Sequence, residues 1–285
     1  MKGICALYEI EDDLKESHIF PKFIVNHTKK TGSKYFRRLV EPDKRMQDVV
    51  KLHLLSEKAE QEFSKREKWF AENIFVPYLG GKASLPYNEN LYYFAVSFLW
   101  RILILELKRD DNLKTKWYYQ LILDAEQEWR EFLKNGKKIE NFDLICIQLT
   151  DRVKENNSGI KGVDFYLTRA MDATIVDNQT QTCLMVYGKF NRFIFWGVLK
   201  KYGDEEKLQD SIINPQNGVI NIPQGLEYFP ICSFLFNRMK EIEKLPRPNQ
   251  EQQDKIFNEI MKDPENFWKS DVGKSLYNDN FNLEK

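Results

Sequence analysis

The chain is poor in the residues that build metal centres and disulfide frameworks. Its 285 residues hold only three histidines and four cysteines, Cys5, Cys146, Cys183 and Cys232. No two cysteines form a CxxC pair, which excludes a disulfide scaffold and fits a reducing, cytoplasmic compartment. The N-terminus turns acidic at once, at Glu9 to Asp13, and lacks the apolar stretch of a signal peptide. Neither sign of charge prevails: Lys+Arg and Asp+Glu both number 43. No global field therefore draws the chain to nucleic acid, and any such contact must come from a local patch. Also missing are GxGxxG, a P-loop, GxSxG and HExxH, which disfavours a nucleotide-binding α/β fold and a serine hydrolase. An uninterrupted membrane-length apolar run is absent too. Leu91–Leu107 comes nearest, but Arg101 and Glu106 interrupt it, so it reads as a buried core helix and no membrane partner is expected.

What the chain does have is aromatics, at 14%, enough to make burial outweigh chain entropy. Residues 1–41 read as short strands and loops. From Pro42 the apolar spacing predicts helix, through EPDKRMQDVVKLHLL and on through SEKAEQEFSKREKWFAENIF, where Ala59, Phe63, Phe70 and Ile74 recur at helical intervals. Pro77, Gly80, Gly81 and Pro86 mark a linker, so the expected modules are 1–76 and 77–285. Helices are expected over 88–135, with Asn88 or Asn90 as a cap and a stop at Asn135–Gly136. The segment 142–200 is rich in β-branched and aromatic residues and reads as strands, with a hairpin turn at Asn191. A helix near Arg169–Ala173 interrupts it. Helices return over 230–270, before a polar tail. The expected class is α+β.

The most informative pieces are Cys5-Ala6-Leu7-Tyr8, then Ser17-His18-Ile19-Phe20-Pro21-Lys22-Phe23, then Leu54-Leu55-Ser56-Glu57-Lys58-Ala59-Glu60. Together they resemble the HNH (His-metal finger) superfamily, closest to bacterial proteins with ICxLC, SHIIPKF and LLCxxCExxFS segments. In such proteins two CxxC pairs hold a structural zinc, and the histidine of the HIxP segment ends a strand of a ββα fold. The resemblance implies His18 as general base, a role in which histidine activates water beside a divalent ion. It also implies a setting in genome conflict, such as bacterial defence against phage.

This chain departs from that pattern. The four zinc positions read Cys5, Tyr8, Ser56 and Ala59, and one thiolate cannot make a closed tetrahedral site. Lys51 stands where many HNH sequences carry asparagine, and Glu60 where they carry histidine or asparagine. The expectation is a degenerate finger, held by apolar packing, without zinc or any other cofactor. The alternative is a nuclease that rebuilds a Mg²⁺ or Mn²⁺ site from Glu60, His53 and His18, with His27 also near in sequence. Lys29, Lys30, Lys34, Arg37 and Arg38, beside Tyr35 and Phe36, form a basic stretch suited to DNA or RNA phosphates and base stacking. A protein partner is the other option. Trp100, Trp117, Trp129 and Trp196 are expected in the core. Asp164, Asp172 and Asp177 are weighed as a carboxylate site, with an Asp172–Arg169 structural pair the favoured reading.

Overall fold

The computed structural model describes residues 1–33 and 35–281. Strands β1 (Lys2–Ile4) and β2 (Glu11–Asp13) pair antiparallel around a tight turn, and β3 (Lys15–His18) follows at once. Pro21 then starts α1 (Lys22–Lys30), which buries Ile24 and Val25. A hairpin of β4 (Phe36–Arg38) and β5 (Glu41–Met46) leads to β6 (Lys51–Leu55), which pairs antiparallel with β3. The expectation of helix from Pro42 to Leu55 is thus corrected to two strands. In β6, Leu54 and Leu55 are buried while His53 is exposed, and in so short a piece a few apolar residues fit either period. Helix α1 within 1–41 was not anticipated, because its polar C-terminal turn reads as loop.

Helix α2 (Glu57–Phe70) has Ser56 as its N-cap, whose hydroxyl accepts from the Ala59 amide. It runs through a π-turn, Ala71–Phe75, into α3 (Val76–Leu79), so the chain is helical across the expected boundary at 76. After β7 (Ser84–Asn88), Asn88 caps α4 (Glu89–Arg109) through the Asn90 amide. Helix α5 (Tyr119–Asn135) stops at Gly136, whose positive φ of 70° forms the expected left-handed cap.

Then come β8 (Ile145–Leu149), α6 (Val163–Arg169), β9 (Met171–Asp177), β10 (Leu184–Phe190) and β11 (Phe193–Lys200). The helix in this region precedes Met171, whereas the sequence reading had put it at Arg169–Ala173. The four strands form one antiparallel sheet in the order β8–β11–β10–β9, and Asn191 turns the hairpin with φ 47°. Strand β12 (Asn217–Asn221) pairs with β7. Helices α7 (Phe229–Glu243), α8 (Gln250–Ile260), α9 (Pro264–Lys269) and α10 (Asp271–Phe281) complete the α+β fold. The stretch expected as a polar tail is therefore helical as far as Phe281.

The sheet is buried on both faces, which is why β10 and β11 read as near-continuous apolar runs. One face packs on α4, and Phe70, Phe94, Phe98, Phe190, Phe193 and Phe195 interlock there, with Phe70 stacked on Phe94 at 4.1 Å. The same apolar cluster takes in Cys5, Leu7, Ala59 and Phe63, so the N-terminal residues share a core with the body. The other face carries Tyr166, Tyr187 and Trp196 beneath α7. Trp100, Trp129 and Trp196 are fully buried as expected, while Trp117 lies at the margin and donates to Asp177. Among the described residues, α4 is the one helix long and apolar enough to cross a membrane, and 78% of its apolar window is buried inside the protein.

Candidate functional site

The turn between β1 and β2 is built by the backbone. The Cys5 amide donates to Ile10 O at 2.9 Å, the Glu9 amide to Cys5 O at 2.8 Å, and Glu9 takes a positive φ of 57°. The Ala6 amide donates to Leu54 O at 3.0 Å, which sets the turn against the end of β6 and the start of α2. Cys5, Ser56 and Ala59 thereby meet, all fully buried. The Ser56 amide donates to Cys5 Sγ at 3.3 Å, and Ser56 Oγ lies 3.4 Å from the same sulfur. Tyr8 is half-buried at the rim, with the Lys58 ammonium 4.7 Å from its ring centroid. Burial, followed by the charge of Glu62, raises the Tyr8 phenol above its usual range. Apolar contact and weak sulfur hydrogen bonds fill the point where Cys5, Ser56 and Ala59 meet.

His18 ends β3. Its Nε2 lies 3.3 Å from Asp48 Oδ2, and Lys51 Nζ lies 2.7 Å from that same oxygen. The strand register explains the trio. His18 stands opposite Lys51 across β3–β6, and Asp48 lies in the turn just before β6, where its Oδ1 accepts from the Val49 amide at 2.9 Å. Burial works against the charge on Asp48. Hydrogen bonds from Lys51 and Val49, with the nearby His18, outweigh it and hold the carboxyl at about 2.

Beneath this trio lies a buried ion pair. Arg101, 3% exposed on α4, contacts Glu67 of α2 at 2.9 Å and also donates to His18 O at 3.0 Å. Burial raises the Glu67 carboxyl, Arg101 opposes that, and Glu60 adds to it. Glu60 Oε1 and Arg101 Nη2 are buried without a protein hydrogen-bond partner. His53 is exposed and stands opposite Glu16, two cross-strand pairs away from His18. His27, on α1, packs edge-on against Phe75 at 4.9 Å. Among the described residues, no group of three or more His, Cys, Asp or Glu side chains is placed to hold a metal ion. His18, His53 and Glu60 therefore do not form a common ligand set.

The basic stretch is partly spent on internal contacts. Arg37 donates to Pro42 O at 2.5 Å and to Gln252 of α8 at 3.0 Å, so it fastens the β4–β5 hairpin to that helix. Arg38 pairs with Glu41 at 3.4 Å on the surface. Lys29 lies over the Phe36 ring at 5.6 Å, and Lys30 is exposed at the end of α1. Lys34 falls outside the described residues.

The carboxylates of the strand region do not converge. Asp164 pairs with Arg152 at 2.8 Å. Asp172 accepts from Arg238 through both oxygens at 2.8 Å and from Tyr166 at 2.9 Å. Arg169 turns the other way, to Thr31 Oγ1 at 2.7 Å and Thr28 O at 3.0 Å, so the expected Asp172–Arg169 pair is corrected to Asp172–Arg238. Sequence reasoning missed Asp48, Glu67 and Arg101 because their partners come from other elements. The register of β3 on β6 was the one signal that joins His18 to Lys51.

No family model, no curated protein and no solved structure matches the chain.

Proposed function

We propose that the chain is a metal-free, HNH-like binding protein that contacts nucleic acid without cutting it. One observation carries the reading. The carboxylate beside His18, the natural seat for a divalent ion, already holds the Lys51 ammonium at 2.7 Å. A cation built into the chain satisfies that charge, and a metal would have to displace it. The burial of Cys5 with Ser56 and Ala59 supports the same conclusion for zinc, since one thiol, a hydroxyl and a methyl offer no tetrahedral soft-ligand set. Among the described residues of the basic stretch, Lys30 is exposed and outside the internal contacts that hold Arg37 and Arg38, and Lys29 beside it is half-buried, so these two are the cations proposed to meet phosphates. The free state of all four cysteines supports a cytoplasmic setting, and by its HNH resemblance we assign the chain to bacterial defence against phage.

The test is direct. The purified full chain is expected to contain no stoichiometric zinc and to bind a DNA or RNA oligonucleotide with an affinity that falls steeply with salt. Replacing Lys29 and Lys30 by Gln should weaken it roughly tenfold, within what loss of two phosphate contacts removes. Absence of salt-dependent binding overturns the nucleic-acid reading and leaves a protein partner. A second reading has one observation in its favour: the His18–Asp48 pair is the arrangement that orients a general base. If Mg²⁺- or Mn²⁺-dependent cleavage appears and is lost in His18→Ala, the chain is a nuclease with a rebuilt metal site.

A further inference from the structure

The last helix is fastened to the body mainly by polar and ionic contacts. One carboxylate at its start, Asp271, lies among three basic side chains from different elements. Arg152 Nη2 donates to it at 3.3 Å, Arg169 Nη1 lies at 3.8 Å and His27 Nε2 at 3.9 Å. A second carboxylate, Asp279, accepts from the Asp164 and Phe165 amides at 2.8 and 2.9 Å. Between them Ser275 Oγ accepts from Arg152 at 2.7 Å and shares a hydrogen bond with the Thr168 hydroxyl at 2.9 Å, while Tyr277 is 54% exposed. Such a docking surface gains little from apolar burial, and its ion pairs weaken with salt.

Part of the basic cluster is held without α10, although Arg152 also donates to Ser275 Oγ at 2.7 Å and to Asp271 O at 3.1 Å. Thr28 of α1 and Thr31 just past its end hold the Arg169 guanidinium, and Asp164 is one partner of that of Arg152. Asp164 balances Arg152 and Asp151 balances Arg192, so removing Asp271 leaves Arg169 as the unmatched charge. That charge adjoins the C-terminal end of α1, where Lys30 is exposed and Lys29 half-buried.

We propose that Arg152, Arg169 and His27 form a phosphate-binding site that Asp271 of α10 fills in this state, and that a phosphate polyanion displaces α10 to reach it. Arg152 donates to the carboxylate, Arg169 and His27 stand at ion-pair distance, and burial with the Arg169 charge holds the His27 imidazole below its ordinary range, so the two guanidinium groups supply the charge that suits a phosphate oxygen. That the polyanion is a nucleic-acid backbone rests on the reading above, whereas the cleft itself does not.

Hydrogen exchange of 271–281 in the unmodified full chain tests this, with sodium tripolyphosphate in one arm and a short DNA duplex in the other. Because coupling is reciprocal, a ligand that competes with α10 must loosen it. Exchange across 271–281 is expected to speed up several-fold in both arms, and Asp271→Asn should tighten tripolyphosphate binding about fivefold. If tripolyphosphate loosens α10 and DNA does not bind, the phosphate site stands and the nucleic-acid reading falls. If DNA binds while α10 keeps its protection, the site is overturned and the nucleic-acid reading survives. Unchanged exchange at saturating tripolyphosphate also overturns it.

Discussion

The sulfur of Cys5 lies 3.4 Å from the hydroxyl oxygen of Ser56, across 51 residues of sequence. Two sulfurs on one tetrahedral zinc stand about 3.8 Å apart, given Zn–S bonds of about 2.3 Å. The separation is close to that spacing, while here burial and weak hydrogen bonds hold the two groups together.

If the proposed HNH-like reading is right, thiols placed at positions 8, 56 and 59 should create a zinc site with Cys5. The triple variant Tyr8→Cys, Ser56→Cys, Ala59→Cys, with the native Cys5, is expected to bind one equivalent of zinc and to melt at a higher temperature with zinc than with chelator. The wild-type melting curve should not respond to either. Metal analysis and calorimetry on the two proteins decide the matter. A triple variant that folds but retains no zinc would show that these positions do not share a centre.

The pair Arg101–Glu67 offers a test of how α2 is joined to α4. Breaking a buried ion pair from one side leaves a charge without its partner and costs about 3–5 kcal/mol, whereas replacing both with apolar residues is often neutral. Arg101→Met should lose roughly 3 kcal/mol, part of it from the hydrogen bond to His18 O. Arg101→Met/Glu67→Met should recover most of that loss. Denaturant titration of the double-mutant cycle checks it, and simple additivity would contradict the coupling.

The four-stranded sheet was legible in the sequence because its strands are buried on both faces, so composition alone marks them, and Asn191 marks their hairpin. The meeting of Cys5 with Ser56 and Ala59 was expected from the resemblance alone, since nothing in their spacing brings residues 51 positions apart together. What could not be read were contacts set by register and tertiary approach. Asp48 joins His18 and Lys51 only once β3 lies on β6, and Asp172 chooses Arg238 because α7 covers that face of the sheet. The stretch 42–55 misled because its few apolar residues suit two periods at once, and α10 escaped because a helix docked by carboxylates has no apolar stripe to announce it.

Close approach across the sheet gives a third prediction. A Cβ on Gly197 would lie 2.5 Å from Trp129 Cη2 and 2.8 Å from Cζ2. That ring cannot retreat, since its Nε1 donates to Phe142 O at 3.0 Å and it is fully buried. Gly197→Ala should destabilise the protein by about 2 kcal/mol, the usual scale of overpacking in a dense core. Gly136→Ala, where a Cβ meets open space but φ is 70°, should cost only about 1 kcal/mol. Thermal melts of the two variants rank them.

Lys189 is fully buried beside the Tyr166 ring, with its Nζ donating to Ala170 O at 3.2 Å and to Asn191 O. Burial drives the ammonium down to about 7, only partly opposed by Asp172. An unfolded lysine titrates near 10.4, so between pH 7 and about 10 the unfolded chain binds a proton that the native chain does not. Stability from this group therefore rises as pH climbs through that window, and the penalty is fully present below it. Lys189→Met removes the charge and keeps the length, at the loss of two hydrogen bonds. The variant should be at least as stable as wild type at pH 6, with a shallower rise in unfolding free energy from pH 7 to 10 in denaturant titrations. A slope equal to that of the wild type would mean that Lys189 keeps its proton through the whole window.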